Sequence, residues 1–168
     1  SDKNEEIVIA SALFLADFLD NQAIPVALQF LNHPLHGNAC RKSLEKITLV
    51  AFNNENSEEV KHEYQGWWEM NQDLSPKQWF FDAMRQHGYE VTPFLDYLMG
   101  EKNCQLAVPL LLQVLQDSEW YMQAAACRTL EEITGKNFGE IEYFTGKQRK
   151  AQILQSWQKW WQEQPEKK

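Results

Sequence analysis

Ala23-Ile24-Pro25-Val26-Ala27-Leu28-Gln29-Phe30-Leu31 and Ala107-Val108-Pro109-Leu110-Leu111-Leu112-Gln113-Val114-Leu115 share one pattern, 84 positions apart. Each has Pro third, Gln seventh and apolar residues almost everywhere else. Leu44-Glu45-Lys46-Ile47-Thr48 recurs as Leu130-Glu131-Glu132-Ile133-Thr134 at a spacing of 86, and Gln65, Trp67 and Trp68 recur as Gln158, Trp160 and Trp161 at a spacing of 93. The matches keep their order while the spacing grows by small loop insertions, which points to a duplicated unit.

Outward from these anchors the period is helical. Ile7, Val8, Ile9, Leu13, Phe14, Ala16, Phe18 and Leu19 make a nearly continuous apolar helix. Ala39, Cys40, Leu44 and Ile47 fall at the three-to-four spacing of an amphipathic one, as do Tyr121, Ala125, Leu130 and Ile133. Ala124-Ala125-Ala126 lets two helices approach closely. Ser75-Pro76-Lys77-Gln78 reads as a capping box with Pro in the first turn, and Thr145-Gly146-Lys147-Gln148 as a second box. Thr92-Pro93 reads as a further cap; Asp20 or Asn21, and Asp117 or Ser118, are cap candidates for the helices that follow them. These signals predict helices over about 5–20, 22–32, 36–49, 57–71, 76–87, 93–100, 104–116, 119–134 and 146–163, joined by long loops at 50–56 and 135–145.

Composition agrees. Seven Gly and six Pro among 168 residues are too few for the turns of an all-β chain. A net charge of −8 and a pI of about 5.0 argue against nucleic acid, whose binders carry a basic face; the one basic run, Lys147, Arg149 and Lys150, is offset by Glu140 and Glu142. Cys40, Cys104 and Cys127 show no Cys-x-x-Cys spacing and read as buried free thiols in a reducing compartment. No apolar run reaches the length of a membrane span, and Ser1–Glu6 does not read as a signal peptide. The expectation is a soluble, cytoplasmic monomer of one domain, with the periplasm as the alternative compartment.

The unit from Ala107 to Thr134 resembles a HEAT-type repeat of the bacterial kind: a first helix opening Ala-x-Pro, an Asp near the turn, and a second helix with small residues ending Leu-x-x-Ile-Thr. The following Gly135-Lys136-Asn137-Phe138-Gly139 and the Trp-rich segment to Trp161 resemble the extension such repeats carry, and Tyr64–Val91 is similar to the helix pair that links them. The first copy departs from the pattern: His33-Pro34-Leu35-His36-Gly37 replaces the Asp-bearing turn and is two residues shorter. The resemblance implies an all-α, short right-handed α-solenoid of about nine helices in a single domain over 1–168. Copy one would span about 22–71, linker helices about 75–101, and copy two about 104–163.

Catalytic motifs are missing from the sequence: no phosphate loop, dinucleotide turn, His-Glu-x-x-His or Gly-x-Ser-x-Gly stands in it. His33 and His36 lie in a Pro- and Gly-containing turn that sets no ligand register, so no metal, cofactor or catalytic residue is expected. His87 reads as a cation at a helix C-terminus. What remains is protein binding, on the face that the second helix of each pair presents in a solenoid. In the first copy that face draws on Asn38, Arg41, Lys42 and Glu45, and in the second on Gln123, Arg128, Glu131 and Glu132. Trp68 and Trp161 join them, because two adjacent Trp side chains cannot both point inward. The expected partner is another protein. An immunity- or inhibitor-type protein is the alternative within binding, and a HEAT-like bilin lyase or isomerase the alternative among enzymes.

Overall fold

The computed structural model describes residues 3–54, 56–101 and 104–164. Among these residues the chain is all-helical: nine α-helices, a single 3-10 turn at Thr92–Phe94, and no strand. They are α1 (Lys3–Asp17), α2 (Ala23–Gln29), α3 (Gly37–Thr48), α4 (Ser57–Asn71), α5 (Pro76–Gln86), α6 (Leu95–Leu98), α7 (Ala107–Val114), α8 (Trp120–Thr134) and α9 (Lys147–Gln162). None is long and apolar enough to cross a membrane. The chain forms two compact units, residues 1–79 and 80–168, and the boundary falls within α5.

In the first unit α1 packs on α2 and α3, and α2 packs on α3 and α4. Ile9, Ala16, Ile24, Leu28, Leu44, Ile47, Val60, Tyr64 and Trp79 are buried in one hydrophobic cluster. Side chains of this size each contribute roughly 1.5–3 kcal/mol on burial, which is what holds such short helices in place. Trp79 receives the edges of Trp67 and Trp68 at 5.3 and 6.2 Å and donates its indole N–H to the Asn71 carbonyl at 3.0 Å. In the second unit α7 packs on α8 and α9, and Val108, Leu111, Met122, Leu130, Ile153 and Trp157 are fully buried.

The sequence pairs noted above sit in matching local structures. Ala23 and Ile24 donate backbone N–H groups to Asp20 and Asn21, as Ala107 and Val108 do to Cys104 and Gln105. Pro25 and Pro109 are the third residue of their helices, where the missing N–H would have had no intrahelical partner. Thr48 donates its hydroxyl to the Leu44 carbonyl at 2.8 Å, and Thr134 to Leu130 at 2.6 Å. The residue after each Thr adopts the left-handed conformation, Leu49 at φ 59° and Gly135 at φ 67°. Phe52 meets the edge of Tyr64 at 4.7 Å; Phe138 meets Trp157 at 4.8 Å in the same perpendicular geometry.

Four local expectations need correcting. The Ser75 box forms, with Ser75 N–H donating to Gln78 Oε1 at 2.9 Å and Gln78 N–H to Ser75 Oγ at 3.3 Å. The Thr145 box does not: Gly146 caps α9, and Thr145 Oγ1 accepts from Glu142 N–H at 2.8 Å, because the loop turns back on itself before the helix starts. Thr92 caps nothing, since its hydroxyl donates to Glu90 and Val91 holds the cap position. Asp20 and Asp117 do not cap α2 and α8 directly. They fasten the preceding turns by accepting from Gln22 and Glu119 N–H, and Gln22 and Glu119 are themselves the cap residues.

Candidate functional site

In the first unit, the expected polar face is drawn inward. Glu45 is only 3% exposed, held by Lys42 Nζ at 2.8 and 2.9 Å and by Arg41 Nε at 3.7 Å. A carboxylate this buried is tolerable because both neighbours on its own helix neutralise it. Arg41 also donates to the Phe52 carbonyl, tying α3 to the loop after it. Lys46 is buried too and reaches Asp17 of α1 at 3.3 Å. Asn38 is exposed. Arg41, Lys42 and Glu45 thus form an internal brace, and Trp68 is half-buried against Trp79.

In the second unit, Gln123 donates to the Asp117 carbonyl at 2.7 Å, while its own Oε1 is buried without a partner among the described residues. Arg128 is desolvated enough that burial lowers its pKa, with Glu142 and Glu140 opposing the shift. Glu131 accepts from Asn137 at 2.9 Å, which fixes the start of the loop after α8. Glu132, exposed, accepts from the Tyr97 hydroxyl; burial first and this carboxylate second push the Tyr97 phenol well above its usual range. Trp161 is half-buried, tilted against Trp160 at 6.1 Å.

The histidines do structural work. His33 Nδ1 accepts the backbone N–H groups of both Leu35 and His36 at 3.2 Å, so its lone pair is committed to the turn, and its ring stacks on His36 at 5.0 Å. His87 is not left at a bare helix end: Asp117 Oδ2 lies 3.0 Å from its Nδ1 and accepts from Tyr89 O–H at 2.8 Å. Burial, then Asp117, raises the Tyr89 phenol. No cluster with metal-ligand geometry occurs among the described residues. Arg149 of the basic run packs so closely over Gly139 that a Cβ there would lie 2.5 Å from its guanidinium.

All three cysteines are buried. Desolvation pushes the Cys127 thiol up to about 12, against the lowering effects of Arg128 and the adjacent Trp157 indole, and raises Cys40 as well. Neither is primed as a nucleophile.

The residues that most resemble a contact site escaped sequence reasoning. Glu142–Thr145 closes a tight turn through two hydrogen bonds, Thr145 N–H to the Glu142 carbonyl at 2.9 Å and Glu142 N–H to Thr145 Oγ1 at 2.8 Å. The turn holds Tyr143 against Trp120 at 5.8 Å and leaves Phe144 86% exposed. The signal in the sequence was an aromatic pair inside a Gly- and Glu-rich loop. No family model, curated protein or solved structure matches this chain.

Proposed function

We propose that this chain is a protein-interaction domain, a short HEAT-like α-solenoid built on an internal duplication. The recurrence of helix starts, Thr back-bonds, left-handed caps and perpendicular aromatic pairs at spacings of 84, 86 and 93 supports the architecture. The observation that carries the binding role is the exposed Phe144 on its braced turn. Loops on a rigid scaffold carry recognition, and a turn whose backbone is already closed loses little backbone entropy when a partner covers the ring it carries. The exposed Glu132 and the half-buried Glu131 on α8 supply an acidic edge suited to a polar or basic rim.

The test is affinity capture of the partner from the source cell with wild type, Phe144→Ala and the double charge reversal Glu131→Lys/Glu132→Lys. Phe144→Ala is expected to weaken capture at least roughly tenfold with an unchanged thermal midpoint, the behaviour of an exposed hot-spot aromatic. The charge reversal is expected to weaken it less and in a salt-dependent way. Undiminished capture by both variants would sink this reading.

A further inference from the structure

Helix α1 is apolar on both sides. Ile9, Ala12 and Ala16 face the core, and the opposite side carries Ile7, Ser11 and Phe14, continued by Phe18 just past the last turn, with Val8 beside them. Ile7, Val8, Phe14 and Phe18 are 64, 44, 62 and 70% exposed, and the Phe14 and Phe18 rings already meet, tilted, at 4.9 Å. A helix apolar all round is ordinarily covered all round. We propose that the cover is a second copy of this chain, its α1 packed antiparallel on this one. This face lies on the first unit, away in sequence from the Phe144 turn, and the inference does not depend on the binding role assigned to that turn.

Two features select this occupant. The stripe is self-complementary: a two-fold axis between Ser11 and Phe14 sets Ile7 against Phe18 of the other copy and seats Phe14 over the small Ser11, large against small in both directions. The area fits a weak pair: the four exposed side chains offer on the order of 500 Å² per copy, so their full burial would remove at most about 1,000 Å² from water, the size of a transient interface. Residues 1–79 hold six basic and twelve acidic side chains, so two copies repel and the dimer is expected to be weak and strengthened by salt.

Sedimentation velocity of the whole chain, from low micromolar to near-millimolar concentration and at low and high salt, tests this. Wild type is expected to shift from monomer to dimer with concentration, more readily at high salt. Phe14→Glu is expected to weaken association by on the order of tenfold or more, with an unchanged helical circular-dichroism spectrum. Ser11→Phe, which fills the hole that Phe14 of the other copy needs, is also expected to weaken it. Phe144→Ala is expected to leave it untouched, which separates this interface from the partner site. A chain monomeric throughout, a dimer indifferent to Phe14→Glu, or one tightened by Ser11→Phe would each overturn the proposal. So would a monomer that instead captures a basic amphipathic peptide through this stripe.

Discussion

The turn between α2 and α3 and the turn between α7 and α8 solve one problem with different chemistry. His33 and Asp117 stand 84 positions apart, and each donates its backbone N–H three residues back, to Phe30 and Val114. Each side chain then accepts the N–H two residues on, through Nδ1 at 3.2 Å in one case and Oδ1 at 2.8 Å in the other. The imidazole spends its only acceptor there. The carboxylate has a second oxygen, which takes Tyr89 and His87 and so fastens the segment after α5 to the α7–α8 turn. The expected shortening is not in this turn, which spans residues 30–36 against 115–119 in the second unit, because α3 starts later than α8 does; it still brings α3 close, and a Cβ on Gly37 would meet the Leu31 carbonyl at 2.4 Å. A turn can therefore keep its backbone while losing its reach, and the loss is visible in how many donors one side chain can serve.

The largest expected effect tests whether the matched aromatics are equivalent. Trp157→Ala is expected to destabilise by about 3–5 kcal/mol, and Tyr64→Ala nearly as much, in denaturant unfolding, because each is 1% exposed at the centre of its packing. A small loss at one and a large loss at the other would break the pairing. Asp117→Ala comes next, at about 2–3 kcal/mol, because it strands Tyr89 and His87 as well as a turn N–H. Gly37→Ala is expected to cost about 1–3 kcal/mol through overpacking against Leu31. His33→Ala should cost only about 1 kcal/mol, the value of an ordinary cap, and His33→Asn should recover most of it.

The unfolded Cys127 thiol loses its proton near its ordinary 9.0, while the folded one keeps it to about 12. From about pH 9 upward the unfolded chain holds fewer protons than the folded one, so stability falls as pH rises. Thermal midpoints measured between about pH 8 and pH 10 should show that slope, and Cys127→Ala should lessen it, leaving the part that the raised Cys40 thiol contributes.

Helix positions were legible because apolar spacing and Pro placement are local; α4 runs Ser57–Asn71, as the periodicity predicts. The perpendicular contact of Phe52 with Tyr64 was half legible: Tyr64 and Trp157 keep the 93-residue spacing of the repeated Trp pair, but nothing in the sequence marks their loop partners. The polar face was misjudged where neutralisation hides charge. Glu45 reads as a surface acid until Arg41 and Lys42 close over it, and no pattern of single residues reports a three-membered brace. His33 was unreadable as an anchor because imidazole seldom fills that place. The outward side of α1 was written plainly in its apolar run, yet only the neighbours of the helix reveal which side they leave bare.

The buried free thiols give each unit its own clock. Cys40 lies in the first unit, Cys104 and Cys127 in the second, and none reaches solvent in the folded chain. Alkylation of any of them must wait for local or global opening. With Cys104 and Cys127 removed, the labelling rate of Cys40 would time the opening of the first unit alone; with Cys40 removed, the remaining pair would time the second. Equal rates would mean that both units open in one cooperative event, and unequal rates would rank them, with no added dye or tag to perturb either.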